Sequence, residues 1–194
     1  MTTRNSWLGA AAVAVTLLTG CSSGDGADSA AETNAAPSVD PAPRVPSPLV
    51  TDSLVRDPCT ALSPAQAAEI GLANPGELYP SPGGQGCRWQ SAGYDANKIF
   101  VAPLGDQDTG LTGVYANRAQ DNYFEPVTIE GYPAVFAANA DLRGSGTCAL
   151  WVGVTDQLVV NINSSILDGP NVTDPCPVVQ TVATAMVRQL KGAA

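Results

Sequence analysis

CALWVGVTDQLVVNIN, residues 148–163, alternates apolar and other side chains on both sides of a turn around Asp156. A period of two is the pattern of a half-buried strand, so Cys148 to Thr155 and Leu158 to Asn163 are expected to pair as an antiparallel hairpin. The alternation places Cys148, Leu150, Val152 and Val154 on one face, shared by Leu158, Val160 and Ile162, and turns Asn161 and Asn163 to the other. A cysteine at the start of the buried face needs a partner above it. The next segment supplies one. Asp174 reads as a helix N-cap with Pro175 at the first helical position, and Val179, Val182, Met186 and Leu190 form one apolar stripe. A helix laying that stripe on the hairpin brings Cys176 to Cys148.

Working upstream, Ser63-Pro64-Ala65-Gln66 has the form of a capping box and opens a short helix that stops at Gly71. The Gly- and Pro-rich run from Pro80 to Gly86 reads as a loop. Cys87 to Ser91 and Ile99 to Leu104 have strand patterns, and the same logic puts Cys87 and Trp89 on one face beneath the first helix. Leu111 to Asn122 carries helical spacing interrupted by Gly113. Pro126 to Ile129 and Ala134 to Ala138 flank a turn at Glu130-Gly131-Tyr132-Pro133. These elements define an α+β domain over residues 57–194: a mostly antiparallel sheet with helices packed on one face.

Four cysteines fall inside that domain, Cys59, Cys87, Cys148 and Cys176. They allow three pairings. Cys59 and Cys176 share an Asp-Pro-Cys context, and each lies 28 positions from its neighbour among the four. Those features favour Cys59 with Cys87 and Cys148 with Cys176. Loop entropy alone leaves the connectivity open, because a longer pairing would contribute more. A zinc site is disfavoured by the lack of any histidine and of a closely spaced Cys-x-x-Cys.

The fifth cysteine belongs to a different chemistry. Arg4 precedes an apolar run from Trp7 to Leu18, and Leu18-Thr19-Gly20-Cys21 closes it in the manner of a bacterial lipoprotein signal. The run is too short for a permanent span, which needs about 20 apolar residues. Residues 1–20 are therefore expected to be cleaved and Cys21 to be lipidated, which anchors the chain to the outer face of the cytoplasmic membrane. Residues 21–56 are rich in Ala, Ser and Pro and have no aromatic residue, the composition of a disordered tether.

Charge and residue types narrow the function. The net charge is −9, and loss of the signal removes only a cation, so no basic footprint for nucleic acid exists. Without histidine there is no Ser-His or Cys-His pair, and neither Lys98 nor Lys191 completes a Ser-x-x-Lys pattern. Carboxylates such as Asp106 with Asp108, or Asp121 with Glu125, remain for glycosidase-like chemistry. No cofactor or metal is expected, and the protein is not expected to be an enzyme.

The signal, the tether, Asp-Pro-Cys before a short helix, Cys87-Arg88-Trp89 after a variable loop, a strand at Cys148 and a second Asp-Pro-Cys before a terminal helix together resemble the actinobacterial lipoproteins of the domain of unknown function 3558 family. The resemblance implies a membrane-anchored envelope protein and carries no catalytic residues. The expected function is a non-catalytic binding or accessory module, engaging a protein or envelope ligand through the sheet face or through Tyr115, Tyr123 and Phe124. The alternatives are a carrier of an apolar or lipid ligand and a carboxylate-dependent envelope hydrolase.

Overall fold

The computed structural model describes residues 41–192. Cys21 and the signal lie outside these residues. The strands are β1 (Glu77–Ser81), β2 (Gly84–Gln90), β3 (Lys98–Pro103), β4 (Tyr123–Ile129), β5 (Tyr132–Ala138), β6 (Ala149–Gly153) and β7 (Val159–Ser165). The helices are α1 (Asp52–Arg56), α2 (Pro64–Glu69), α3 (Gly110–Ala116) and α4 (Cys176–Gly192), with 3-10 turns at Pro58–Ala61, Arg118–Gln120 and Arg143–Ser145.

All seven strands form one antiparallel sheet in the order β1-β2-β3-β7-β6-β5-β4. Two meanders, β1–β3 and β4–β7, meet at the central β3–β7 pair. The chain leaves the first meander through α3 and re-enters at the far edge. Both edge strands carry a proline, Pro80 in β1 and Pro126 in β4, which limits strand addition from outside.

The hairpin's alternation sets the principal core. Cys148, Leu150, Val152, Val154, Val160 and Ile162 are completely buried, and α4 covers them with Val179, Val182, Ala183, Met186, Val187 and Leu190. The α2 capping box is formed, Gln66 N–H donating to Ser63 Oγ and Ser63 N–H to Gln66 Oε1. Gln66 Nε2 then donates to the Ala185 carbonyl and ties α2 to α4. Disulfides join Cys59 to Cys87 and Cys148 to Cys176, with Cα separations of 5.0 and 5.2 Å. Both sit on this covered face.

Several local expectations are corrected. Pro80 to Gly86 is not a loop: it supplies the end of β1, a Pro82-Gly83 turn and the start of β2. Glycine is used there because a side chain on Gly86 would collide with the Tyr79 ring lying across it. The turn between β4 and β5 contracts to Glu130-Gly131, both at positive φ (51° and 87°), the twist that suits a two-residue hairpin. The helix expected over Leu111 to Asn122 ends at Ala116 and gives way to a 3-10 turn. α4 begins one residue later than its proline suggests, with the first turn closing on the Pro175 carbonyl.

The helices also divide between the faces. α4, α2 and the Pro58–Ala61 turn cover one face, but α3 lies on the other, where Leu111 packs over Gly153 and joins Tyr115, Val135, Ala137 and Val159 in a second cluster. The connection between the meanders must cross the sheet on the face that α4 leaves open.

The domain also begins before Asp57. The tether assigned to residues 21–56 is corrected over its second half. Leu54 in α1 is completely buried, Val45 and Leu49 pack against the main core, and Ala42 touches the second cluster. Leu49 N–H donates to the Val154 carbonyl, Val45 N–H to Asp156 Oδ1, and Tyr132 Oη to the Ser47 carbonyl. Proline-rich chain needs few backbone partners, so three hydrogen bonds and four apolar side chains suffice to seat it as a strap.

Candidate functional site

β7 carries two programmes at once. Its even-numbered residues Val160 and Ile162 fill the core, whereas Val159, Asn161 and Asn163 face the side that α3 only partly covers. The register sets their neighbours. Asn161 lies between Ala102 of β3 and Trp151 of β6, and Asn163 between Phe100 and Ala149. Their backbones are held by ladder bonds to both sides, so the amides stand on the stiffest part of the sheet.

Together these residues form the floor of a trough of about 450 Å³. The segment from Gly113 to Asp121 makes one wall, and Pro82 with Leu104 and Gln107 makes the other. Trp151 Nε1 donates to the Ala137 carbonyl at 2.9 Å, which pins the indole along the floor. Asn161 Nδ2 and Asn163 Oδ1 are buried and have no hydrogen-bond partner. A buried polar atom left unpaired costs about 1–3 kcal/mol, so a donor and an acceptor kept this way at one place require an explanation. Asp121 also lines the trough, and burial raises its carboxyl above the usual range.

The other residues singled out by sequence take different places. Tyr115 and Tyr123 are buried rather than displayed. Tyr115 meets Phe124 edge-on at 4.8 Å and fastens α3 to the sheet, while Arg118 lies over the Phe124 ring at 4.9 Å. Tyr123 Oη accepts from Ala149 N–H, and the Arg143 guanidinium covers its ring at 4.2 Å. This aromatic set holds the fold together and is withdrawn as a contact surface. Trp89 is core, separated from Trp151 by the sheet itself. Glu125 pairs with Arg143, which also grips Asp141 and holds its carboxyl down at about 2. Gly144-Ser145-Gly146 is a turn, and Gly146 at φ 84° sits against the Ile166 carbonyl with no room for a side chain.

A second, more apolar pocket of about 380 Å³ opens between α2, β3 and α4, walled by Ile70, Leu72, Ile99, Ile166, Val178 and Val182. Its most buried polar group is already committed: Asn97 Oδ1 accepts from the amides of Leu167 and Asp168, and its Nδ2 donates to the Asp168 carbonyl. Sequence reasoning placed Asn161 and Asn163 on the outer face but did not single them out as site residues. The available signal was their company, since Trp151, Val159 and Ala149 on the same face are apolar.

Fold and site thus define a class: a disulfide-stapled antiparallel α+β domain of the kind that matures outside the reducing cytoplasm, carrying an amide-floored trough on its open sheet face. No helix among the described residues is long and apolar enough to cross a membrane. The chain belongs to the family described as protein of unknown function (DUF3558), whose model matches residues 16–189. No curated protein shows significant similarity to it.

Proposed function

We propose that the protein is a non-catalytic binding module of the cell envelope, held at the outer face of the cytoplasmic membrane by lipid on Cys21, and that it takes its ligand in the trough on the open sheet face. The observation that carries this is the unpaired Asn161 Nδ2 and Asn163 Oδ1 beside Trp151. A ligand with its own donor and acceptor satisfies both and covers the indole. Binding suits the site better than hydrolysis, because Asp121 is the one carboxylate among the described residues lining it and paired-carboxylate chemistry needs two. A carrier would need an enclosed apolar chamber, and the apolar pocket between α2, β3 and α4 opens to solvent.

Two measurements test this. Cys21→Ala should move the protein from the membrane fraction to the medium, and a chain that stays with the membrane overturns the anchor. Asn161→Leu with Asn163→Leu should reduce capture of the protein on isolated envelopes about tenfold or more while leaving the circular dichroism native. Unchanged capture overturns the trough as the site.

A further inference from the structure

We propose that the ligand of the trough is an uncharged envelope glycan, bound with a sugar ring stacked on Trp151 and its hydroxyls read by side-chain amides. This rests on the trough being the binding site and names what enters it.

The first argument is the chemistry of the lining. Gln107, Asn117, Gln120, Asn139, Asn161 and Asn163 contribute six side-chain amides, of which Asn117 donates to the Gly113 carbonyl and accepts from Gln120. No lysine or arginine among the described residues lines the trough, Arg118 of the same wall lying over the Phe124 ring. An amide offers a donor and an acceptor on one planar edge, which matches a hydroxyl group, itself donor and acceptor. An anionic ligand would find no cation there and would meet Asp121. A cationic ligand would find a single carboxylate among the described residues, Asp121, and no second to pair with it.

The second argument is the floor. The orphaned atoms are one donor and one acceptor, two residues apart on the same face of one strand. That spacing is about 7 Å, close to the breadth of a sugar ring with its hydroxyls. Beside them the indole is fixed by its bond to Ala137 and bordered by apolar Val159 and Ala149. A pyranose is built the same way, with polar edges and an apolar C–H face. Aromatic side chains combine large apolar area with a fixed ring plane and suit such a face.

The third argument separates a glycan from a peptide. Extended peptides bind sheets chiefly by pairing with a free edge. The trough lies over the inner strands β7, β6 and β5, whose backbones are already paired on both sides, and both edges carry proline. The site therefore offers a peptide no strand edge to pair with. At about 450 Å³ the trough falls within the range of small-ligand sites, enough for a short oligosaccharide and too small for a folded partner.

The test uses the full mature chain carrying Cys21→Ala and three portions of one isolated envelope preparation: untreated, digested with protease, and oxidised with periodate, which cleaves vicinal diols. The expected result is binding to the untreated and protease-digested portions and loss of about tenfold or more in affinity for the oxidised one. Emission from Trp151 should shift on binding, and Trp151→Phe should abolish the shift because Trp89 is buried on the opposite face. Gln107→Ala with Asn139→Ala, both exposed, should weaken binding without touching the core, so the outcome does not depend on the floor variant folding. Binding that survives periodate and is lost with protease overturns the glycan and leaves the binding module standing, now with a protein ligand. A natively folded chain that binds none of the three portions overturns the module itself.

Discussion

The two faces of the sheet are built from the same strands and have opposite designs. Under α4 the positions that alternation assigns to the core are buried and apolar, save Ser164, whose hydroxyl is fully bonded, and both disulfides close on that side. On the other face α3 supplies one short cover, the cluster beneath it is small, and two amides in the middle of β7 lack partners. One face is optimised for stability. The other keeps polar groups that folding alone does not require, which is the usual mark of a site.

The largest expected effects lie on the covered face. Replacing either cysteine pair by alanine should cost about 3.6 kcal/mol by chain entropy, and equally for the two, since both span 28 positions. Urea unfolding of the two double variants checks this. A clear inequality would show that one bridge acts through its packing, with Cys148–Cys176 seating α4 and Cys59–Cys87 seating the Pro58–Ala61 turn.

Next comes Ser164→Ala. Ser164 is buried where the covered face meets the loop before β6: its hydroxyl accepts from Cys148 N–H at 2.9 Å and donates to the Gly146 carbonyl at 3.0 Å. Losing it strands both groups and should cost about 1–3 kcal/mol in the same assay. The contrast lies one and three residues away. Asn161→Leu with Asn163→Leu removes one buried unpaired atom from each amide, so stability should stay level or rise by about 1 kcal/mol while envelope binding falls. A loss of stability comparable to that of Ser164→Ala would break the distinction between the faces.

The covered face was the legible one. Its strands announced themselves by alternation from Cys148 to Ile162, and α4 by the stripe from Val179 to Leu190, because burying apolar surface imposes a period that sequence displays directly. The open face was half legible: alternation put Asn161 and Asn163 on it, but only the β3–β7–β6 register sets them beside Trp151, and register is a long-range property. Tyr123 misled for the same reason, since its partners Arg143 and Ala149 come from later in the chain, whereas Tyr115 and Phe124 are taken up by each other. The strap was hidden by composition. Val45, Leu49 and Leu54 are too widely spaced among prolines to show a period, yet each finds a place once the hairpin exists to receive it.

That strap yields the smallest and most specific expectation. Val45 N–H donates to Asp156 Oδ1 at 3.0 Å and Arg44 pairs with Oδ2 at 2.7 Å, and these hydrogen bonds hold the Asp156 carboxyl below its usual range. A carboxyl lowered on folding adds stability at pH values above its unfolded value and loses it as pH falls through the folded one. The strap should therefore be fully seated at neutral pH and loosen as pH falls below about 4, with Leu54 in α1 keeping its base in place. Arg44 is largely exposed, so the Val45 amide contributes more than the ion pair. Hydrogen exchange at the Val45 and Leu49 amides should accelerate a few-fold in acid relative to the core strands. In Asp156→Asn, exchange at Val45 should already be faster at pH 7 and should lose its dependence on acid. Leu49, bonded to the Val154 carbonyl instead, should respond less. Equal acceleration at both amides would mean that the strap leaves the hairpin as one unit and that Asp156 is its main latch.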